Sequence, residues 1–249
     1  MKNKTILITG ASSGIGLACA NKFAQEGSNL ILFARRLEKL EKLKKDYETN
    51  FDISVSVKQV DVRDRNQVAK ATENLPAIDV LINNAGLAKG IEKVQEGFLD
   101  KWDQMIDTNV KGLLFVTRSV LPSMIERNTG HIINIGSIAG HEVYPGGNVY
   151  NATKFAVNAL TRAIRMDLYG YRIRCSSVDP GMVETEFSIV RLDDKQRAKK
   201  VYEGFEPLTA EDIAETVYFV ASRPGHVNIQ DVVIMPTDQA SATLVNRKN

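Results

Sequence analysis

Thr5-Ile-Leu-Ile-Thr9-Gly10-Ala-Ser12-Ser13-Gly14-Ile15-Gly16 decides how the rest of the chain reads. Its first half is a short apolar run without polar interruption, the pattern of a strand covered on both faces. Its second half is a glycine-rich turn that opens a helix. Such a turn lets backbone approach an anionic group, and the helix start adds unpaired N–H groups and a positive dipole end. The spacing is GxxxGxG, not the commoner GxGxxG. Turns of this kind also end ordinary strands, but a place in the first strand–helix unit favours a pyrophosphate cradle.

Working outward, Val- and Ile-rich runs recur at Asn29–Ala34, 53–60, Val80–Asn83, 131–135, 172–178 and 231–235. Longer amphipathic stretches separate them; in 37–47, Leu37, Leu40, Leu43 and Tyr47 recur at helical spacing. Seven strand candidates with intervening helices predict a Rossmann-like, doubly wound parallel α/β sheet with helices on both faces. No repeat or linker divides the chain, so the prediction is one domain over 1–249. A length of 249 residues and 43% hydrophobic content suffice for one large core. Lys and Arg total 32 against 30 Asp and Glu, a net charge of +2 that argues against nucleic acid as the main partner. Two cysteines make no disulfide framework, and Cys19 and Cys175 read as buried inert thiols. After Met1-Lys2-Asn3-Lys4 there are too few apolar residues for a secretory signal, and no run nears the ~18 residues of a membrane span. The expectation is a cytoplasmic protein without membrane contact.

The second strand runs into Arg35-Arg36, with no acid before Glu38. An acid here would bind a ribose 2′-hydroxyl, whereas arginine accommodates a 2′-phosphate, so NADP is the expected cofactor. Two arginines also simply begin surface helices. Asp61-Val62 and Asn83-Asn84-Ala85-Gly86 fall at the carboxyl ends of later strands, where open α/β sheets bind ligands.

Ser137 is placed at the end of the fifth strand, and Tyr150 and Lys154 share one helix face at i, i+4. A phenol titrates near pH 10, too high for proton transfer at neutrality, and an adjacent ammonium is expected to lower it. Ser137 then holds a substrate oxygen while Tyr150 exchanges its proton. Alone, Tyr-xxx-Lys is usually helix surface; with a strand-end serine and a nucleotide loop it points to hydroxyl–carbonyl chemistry. His131, His141 and His226 lack metal-ligand spacing, so no metal is expected. Trp102 reads as a packing residue.

In this order, Thr9-Gly10-xxx-Gly14-x-Gly16, Asn83-Asn84-Ala85-Gly86, Asn109, Ser137, Tyr150-xxx-Lys154 and Pro180-Gly181 resemble the short-chain dehydrogenase/reductase family over practically the whole chain. The resemblance implies that Asn109 keeps a proton-relay water near Lys154, which also binds the nicotinamide ribose. It places Asp61 and Val62 at the adenine, Asn83 and Ala85 at the ribose side, and Pro180, Gly181, Val183 and Thr185 at the carboxamide. Within the family the chain is most similar to NADP-dependent 3-hydroxy acid dehydrogenases acting on serine and allo-threonine. The stretches that carry this include Ala34-Arg-Arg-Leu-Glu-Lys-Leu40 and Met235-Pro-Thr-Asp-Gln-Ala-Ser241. Reduction of a hydrophobic ketone or 3-oxoacyl group is the alternative, and a non-catalytic NADP-binding regulatory module is the alternative of another class. The likeness also suggests a homotetramer built on helices at 100–126 and 151–168 and on the C-terminal segment.

A 3-hydroxy acid needs a cation for its carboxylate. The charged segment 184–207 is either a solvated excursion or a substrate-covering lid, and Arg191 within it is the expected carboxylate anchor. Lys195 and Arg197 compete for that role.

Overall fold

The protein, described from a computed structural model over residues 1–248, carries a parallel sheet of seven strands in the order β3-β2-β1-β4-β5-β6-β7. These are β1 Thr5–Thr9, β2 Asn29–Ala34, β3 Val55–Gln59, β4 Val80–Asn83, β5 Gly130–Ile135, β6 Ile173–Pro180 and β7 Asp231–Ile234. Both faces are covered because successive side chains of each strand alternate between them. Ile6 and Ile8 of β1 pack with Phe23 of α1 (Gly14–Gln25) and Val217 of α9 (Ala210–Ala221). Leu7, between them, faces Val116 and Met124 of α5 (Leu113–Glu126) on the opposite side. All three strand residues are fully buried, which is why β1 reads as a continuous apolar run. Truncating any of them to alanine would cost about 2–5 kcal/mol.

The strand order reverses between β1 and β4, and β1 pairs in parallel with β2 and β4 through Leu7↔Ile31 and Leu7↔Leu81. The carboxyl ends on either side of this switch point form the crevice where α/β sheets bind ligands. Thr9 fixes its floor: Oγ1 accepts from both Asn84 N and Ala85 N at 3.0 Å.

Several boundaries differ from the sequence reading. β3 is shorter than 53–60, because Ile53 lies outside the ladder with β2. α2 runs Leu37–Asn50, beyond Tyr47, and α6 spans Asn148–Asp167, starting before Asn151. Tyr150 therefore lies in the first turn of α6. The helical region at 100–126 is α4 (Leu99–Ile106), a π-helical turn Asp107–Gly112, and α5. Single π turns inside α-helices are frequent at functional sites. Segment 184–207 is helical in part, with α7 Phe187–Leu192 and α8 Lys195–Lys200. α7 ends at Asp193 in a left-handed conformation (φ 53°), and Asp194 caps α8 by accepting from Gln196 N and Arg197 N.

Candidate active site

The turn after β1 approaches as closely as its glycines allow. Gly10 is left-handed (φ +67°), and a Cβ there would lie 2.9 Å from Asn84 Nδ2. Gly16 has no room for a Cβ against Gly10 O and Asn84 Nδ2, so this part of the loop is pinned to the end of β4. Ser13 caps α1 with extended backbone and no side-chain bond to it. The first-turn N–H groups of Gly14 and Ile15 are thus left to an outside acceptor.

Arg36 lies along this loop. Its Nη2 donates to Ser13 Oγ at 2.6 Å and its Nε to Ser12 Oγ at 3.1 Å, while Arg35 is exposed beside it. Arg36 also meets Glu186 at 3.3 Å, just ahead of α7. A cradle of glycine and serine backbone flanked by two arginines fits a dinucleotide with a 2′-phosphate.

The remaining predicted cofactor residues divide by what they still offer. Asp61 is chelated by Arg63, with contacts of 2.6 and 3.0 Å that hold its carboxyl below the usual range. Val62 is buried against Gly112. The side chain of Asn83 turns inward, donating to Thr117 Oγ1 and Asn134 Oδ1 at 2.9 Å; only its backbone faces the crevice end of β4. Gly86 does a different job from its neighbours, since its Cα side lies against both Asn109 Oδ1 and Lys154 Nζ. Pro180 O accepts from Ser137 Oγ at 3.4 Å, Gly181 N donates to Ile234 O at 2.8 Å, and Val183 bridges to Leu208. Thr185 stands against Gly14, so the 180–185 segment closes over the glycine loop.

Ser137, Tyr150, Lys154 and Asn109 come together and are all buried. β5 stops at Ile135, two residues short of Ser137, which instead caps the 3-10 turn Ile138–Gly140 by accepting from Ala139 N. Lys154 Nζ donates to Ile135 O at 2.9 Å and sits 5.9 Å from the centre of the Tyr150 ring. The π turn aims Asn109 inward: its Oδ1 accepts from Leu87 N and its Nδ2 donates to Leu87 O, both at 2.8 Å, with Thr153 Oγ1 at 3.0 Å. Both Asn109 Nδ2 hydrogens are used by Leu87 O and Thr153 Oγ1, so a water held there would meet its backbone or the free lone pair of Oδ1.

The Lys154 ammonium stands beside the Tyr150 ring, but burial sets the direction at the phenol. Burial pushes the phenol above its usual value, and Ser137 and Arg191 are the groups that pull it down. Burial likewise lowers Lys154, to about 8. A low-dielectric site penalises whichever form is charged, for both partners.

Arg191 reaches the site. It donates to Tyr144 Oη at 2.9 Å and to Gly90 O and Gly146 O at 3.3 Å, with its guanidinium carbon 5.6 Å from the Tyr150 ring centre. All three acceptors are neutral, and among the described residues no carboxylate lies within ion-pair distance. Lys195 and Arg197 are exposed on α8. Phe187 meets Tyr150 with ring centres 5.6 Å apart at a tilt of 55°, so α7 roofs the phenol. Beside it, a small recess is lined by Lys89, Glu92, Phe98, Trp102, Met105 and Tyr150. Trp102 thus both packs under Gly97 and lines the recess. The sequence reading missed Leu87 and Thr153 as holders of Asn109, and Tyr144 as partner of Arg191, because none belongs to a motif.

No group of three potential metal ligands occurs among the described residues. The fold and site define a dinucleotide-dependent oxidoreductase. The chain belongs to the short-chain dehydrogenase family, whose model matches residues 4–196. It is 47% identical over 245 residues to the NADP-dependent 3-hydroxy acid dehydrogenase of Salmonella typhi, covering 96% of this chain and 97% of that protein. It is 47% identical over 254 residues to the NADP-dependent 3-hydroxy acid dehydrogenase of Schizosaccharomyces pombe, covering 100% of this chain and 98% of that protein. Among solved structures, the closed form of serine dehydrogenase with NADP+ superposes with a TM-score of 0.91 at 42% identity, covering 98% of this chain and 100% of that one.

Proposed function

We propose that the protein is an NADP-dependent dehydrogenase interconverting the hydroxyl of a small 3-hydroxy acid, of the serine or allo-threonine type, with the carbonyl. The observation that carries the substrate class is the unpaired Arg191 guanidinium above Tyr150, in reach of a carboxylate whose hydroxyl carbon sits at the phenol. The relatives' names point the same way.

Bound NADP would take up or supply the hydride. The chain does the rest. Ser137 donates to the substrate oxygen, and Tyr150 takes the hydroxyl proton during oxidation and returns it during reduction. Burial holds the phenol protonated, so transfer depends on the cations gathered round it, Lys154 and Arg191 among them. Lys154, anchored on Ile135 O, and the Asn109 backbone lead the proton onward. Phe187 and α7 exclude water. Arg35 and Arg36 hold the 2′-phosphate, and Gly10, Ser12, Ser13, Gly14, Ile15 and Gly16 the pyrophosphate.

The recess beside Tyr150 is lined by charged groups, Lys89, Glu92 and Lys101, which suits a polar acid rather than an apolar chain. An open apolar groove of Val94, Val143, Pro145 and Phe155 next to it favours the second reading, a ketone or acyl chain. Reduced-nicotinamide absorbance with NADP and NAD against serine, allo-threonine, other 3-hydroxy acids and bulky ketones separates them. Turnover confined to ketones would overturn the proposal.

The assembly we infer is a homotetramer. Ile106, Leu114, Phe155, Phe219 and Val233 are exposed apolar residues on α4, α5, α6, α9 and β7, more than scattered surface apolars require. No helix among the described residues is long and apolar enough to cross a membrane. Cys19 and Cys175 are free, buried and raised to about 12 by burial, which suits a reducing cytoplasm.

A further inference from the structure

Behind the Tyr150–Lys154 pair lies a carboxylate that the reaction as written does not use. Asp179, the penultimate residue of β6, is fully buried. Its Oδ2 is 2.7 Å from His141 Nε2, and its other oxygen accepts from Ser177 Oγ. That second oxygen also lies where a Cβ on Gly136 would have to stand, so Asp179 is packed against the residue between Ile135 and Ser137. Ile135 supplies the carbonyl that holds Lys154 Nζ. His141 closes the 3-10 turn that Ser137 caps and is partly open to solvent, with 28% of its side chain exposed.

A carboxylate this deep is retained when a charge and hydrogen bonds compensate its desolvation. We propose that Asp179 is the counter-ion of Lys154, and that His141 keeps it ionised, so that the two act as positioning residues holding Lys154 as an ammonium beside Tyr150. This rests on the reading of Tyr150 and Lys154 as the proton-handling pair. Neither Asp179 nor His141 touches a reactant.

Charges around Lys154 support the assignment. Burial draws its ammonium down to about 8, and Asp179 is the charge that draws it back up. Burial raises Asp179 in turn, while Ser177, His141 and Lys154 hold it down. The other titratable groups facing the cluster are Tyr150 of α6 and, over its ring, Arg191 of α7 with Tyr144 and Tyr202. Asn109, Asn158 and Gly86 are uncharged neighbours.

The test is the alkaline limb of kcat/KM for hydroxy-acid oxidation at saturating NADP, where loss of the Lys154 proton ends activity. Asp179→Asn keeps the shape and removes the charge, and it should move that limb down by about one pH unit or more. His141→Ala should move it the same way by less, and His141→Gln, which keeps a donor to Asp179, should restore it. Thermal midpoint and NADPH fluorescence identify a variant that has merely lost its fold. An unmoved or raised limb in folded Asp179→Asn overturns the proposal; if that variant does not fold, an unmoved limb in His141→Ala does so. Tyr150→Phe separates the two levels: retained turnover there removes the underlying reading, whereas lost turnover with an unmoved Asp179→Asn limb removes the counter-ion alone.

Discussion

Arg191 and Tyr150 stand with guanidinium carbon and ring centre 5.6 Å apart, although 41 positions separate them in the chain. The contact draws α7 down onto α6, and the Arg191 backbone secures it by accepting from Gly90 N at 2.8 Å. A roof and a cation therefore arrive together at the phenol.

Arg191→Ala should raise KM for a hydroxy acid about 10- to 100-fold, the equivalent of roughly 1.5–3 kcal/mol for a charge-assisted bond. KM for NADP should hardly change, and neutral ketones should respond little. Steady-state kinetics of the variant on both substrate classes check this; equal effects on acid and ketone would show that Arg191 only fastens the roof.

Arg36 makes its bonds to Ser12 and Ser13 from the end of β2, and Arg35 stands free beside it. Arg35→Asp and Arg36→Asp are each expected to weaken NADP by about one to two decades relative to NAD. Fluorescence titration with NADPH and NADH measures the ratio, and parallel losses for both would place the arginines outside the 2′-phosphate site.

His131 carries an acid liability. Its Nε2 lies 2.8 Å from Ser176 Oγ, whose proton goes to Ile229 O at 2.6 Å, so Nε2 is the donor and neutral Nδ1 is buried without a partner. Burial, with Arg174 nearby, lowers the imidazole to about 3. Its folded value is depressed, so the stability it confers is complete above the unfolded value near 6.5 and drains away as pH falls toward 3. The slope approaches about 1.4 kcal/mol per pH unit in that window. Urea unfolding of His131→Asn between pH 4 and 7 (about the upper part of that window) should show a shallower decline than the parent; an identical slope contradicts this.

Much of this was legible beforehand because the informative residues report on backbone. Gly10 and Gly16 are demanded by close approach, and β1 shows as an unbroken apolar run because both its faces are covered. What stayed hidden depends on contacts distant in sequence. The π turn at Asp107–Gly112 follows from Asn109 bonding Leu87 and Thr153, and nothing in its own stretch announces it. Lys154 was expected to tune Tyr150 by proximity alone; burial, which no spacing reveals, dominates both groups. Asp179 sits beside the Pro180-Gly181 motif, yet its partner His141 is 38 positions away.

Assembly gives a further check. Light scattering should return a tetramer for the intact chain and a smaller species after truncation following Met235, which removes the segment that bonds Glu142 through Ala242 N at 2.8 Å. A monomer in both cases would leave the exposed faces of α5 and α9 without their expected partners.

The central claim is that Tyr150 carries the proton, and Tyr150→Phe tests it most directly because it removes one oxygen from a buried site and leaves the ring contact with Phe187 in place. Initial rates with NADP and a 3-hydroxy acid, measured alongside NADPH binding, should show turnover reduced by about two to four decades with binding within a factor of about two. Turnover above a few per cent of the parent, roughly a loss under 2 kcal/mol of transition-state stabilisation, would contradict the account.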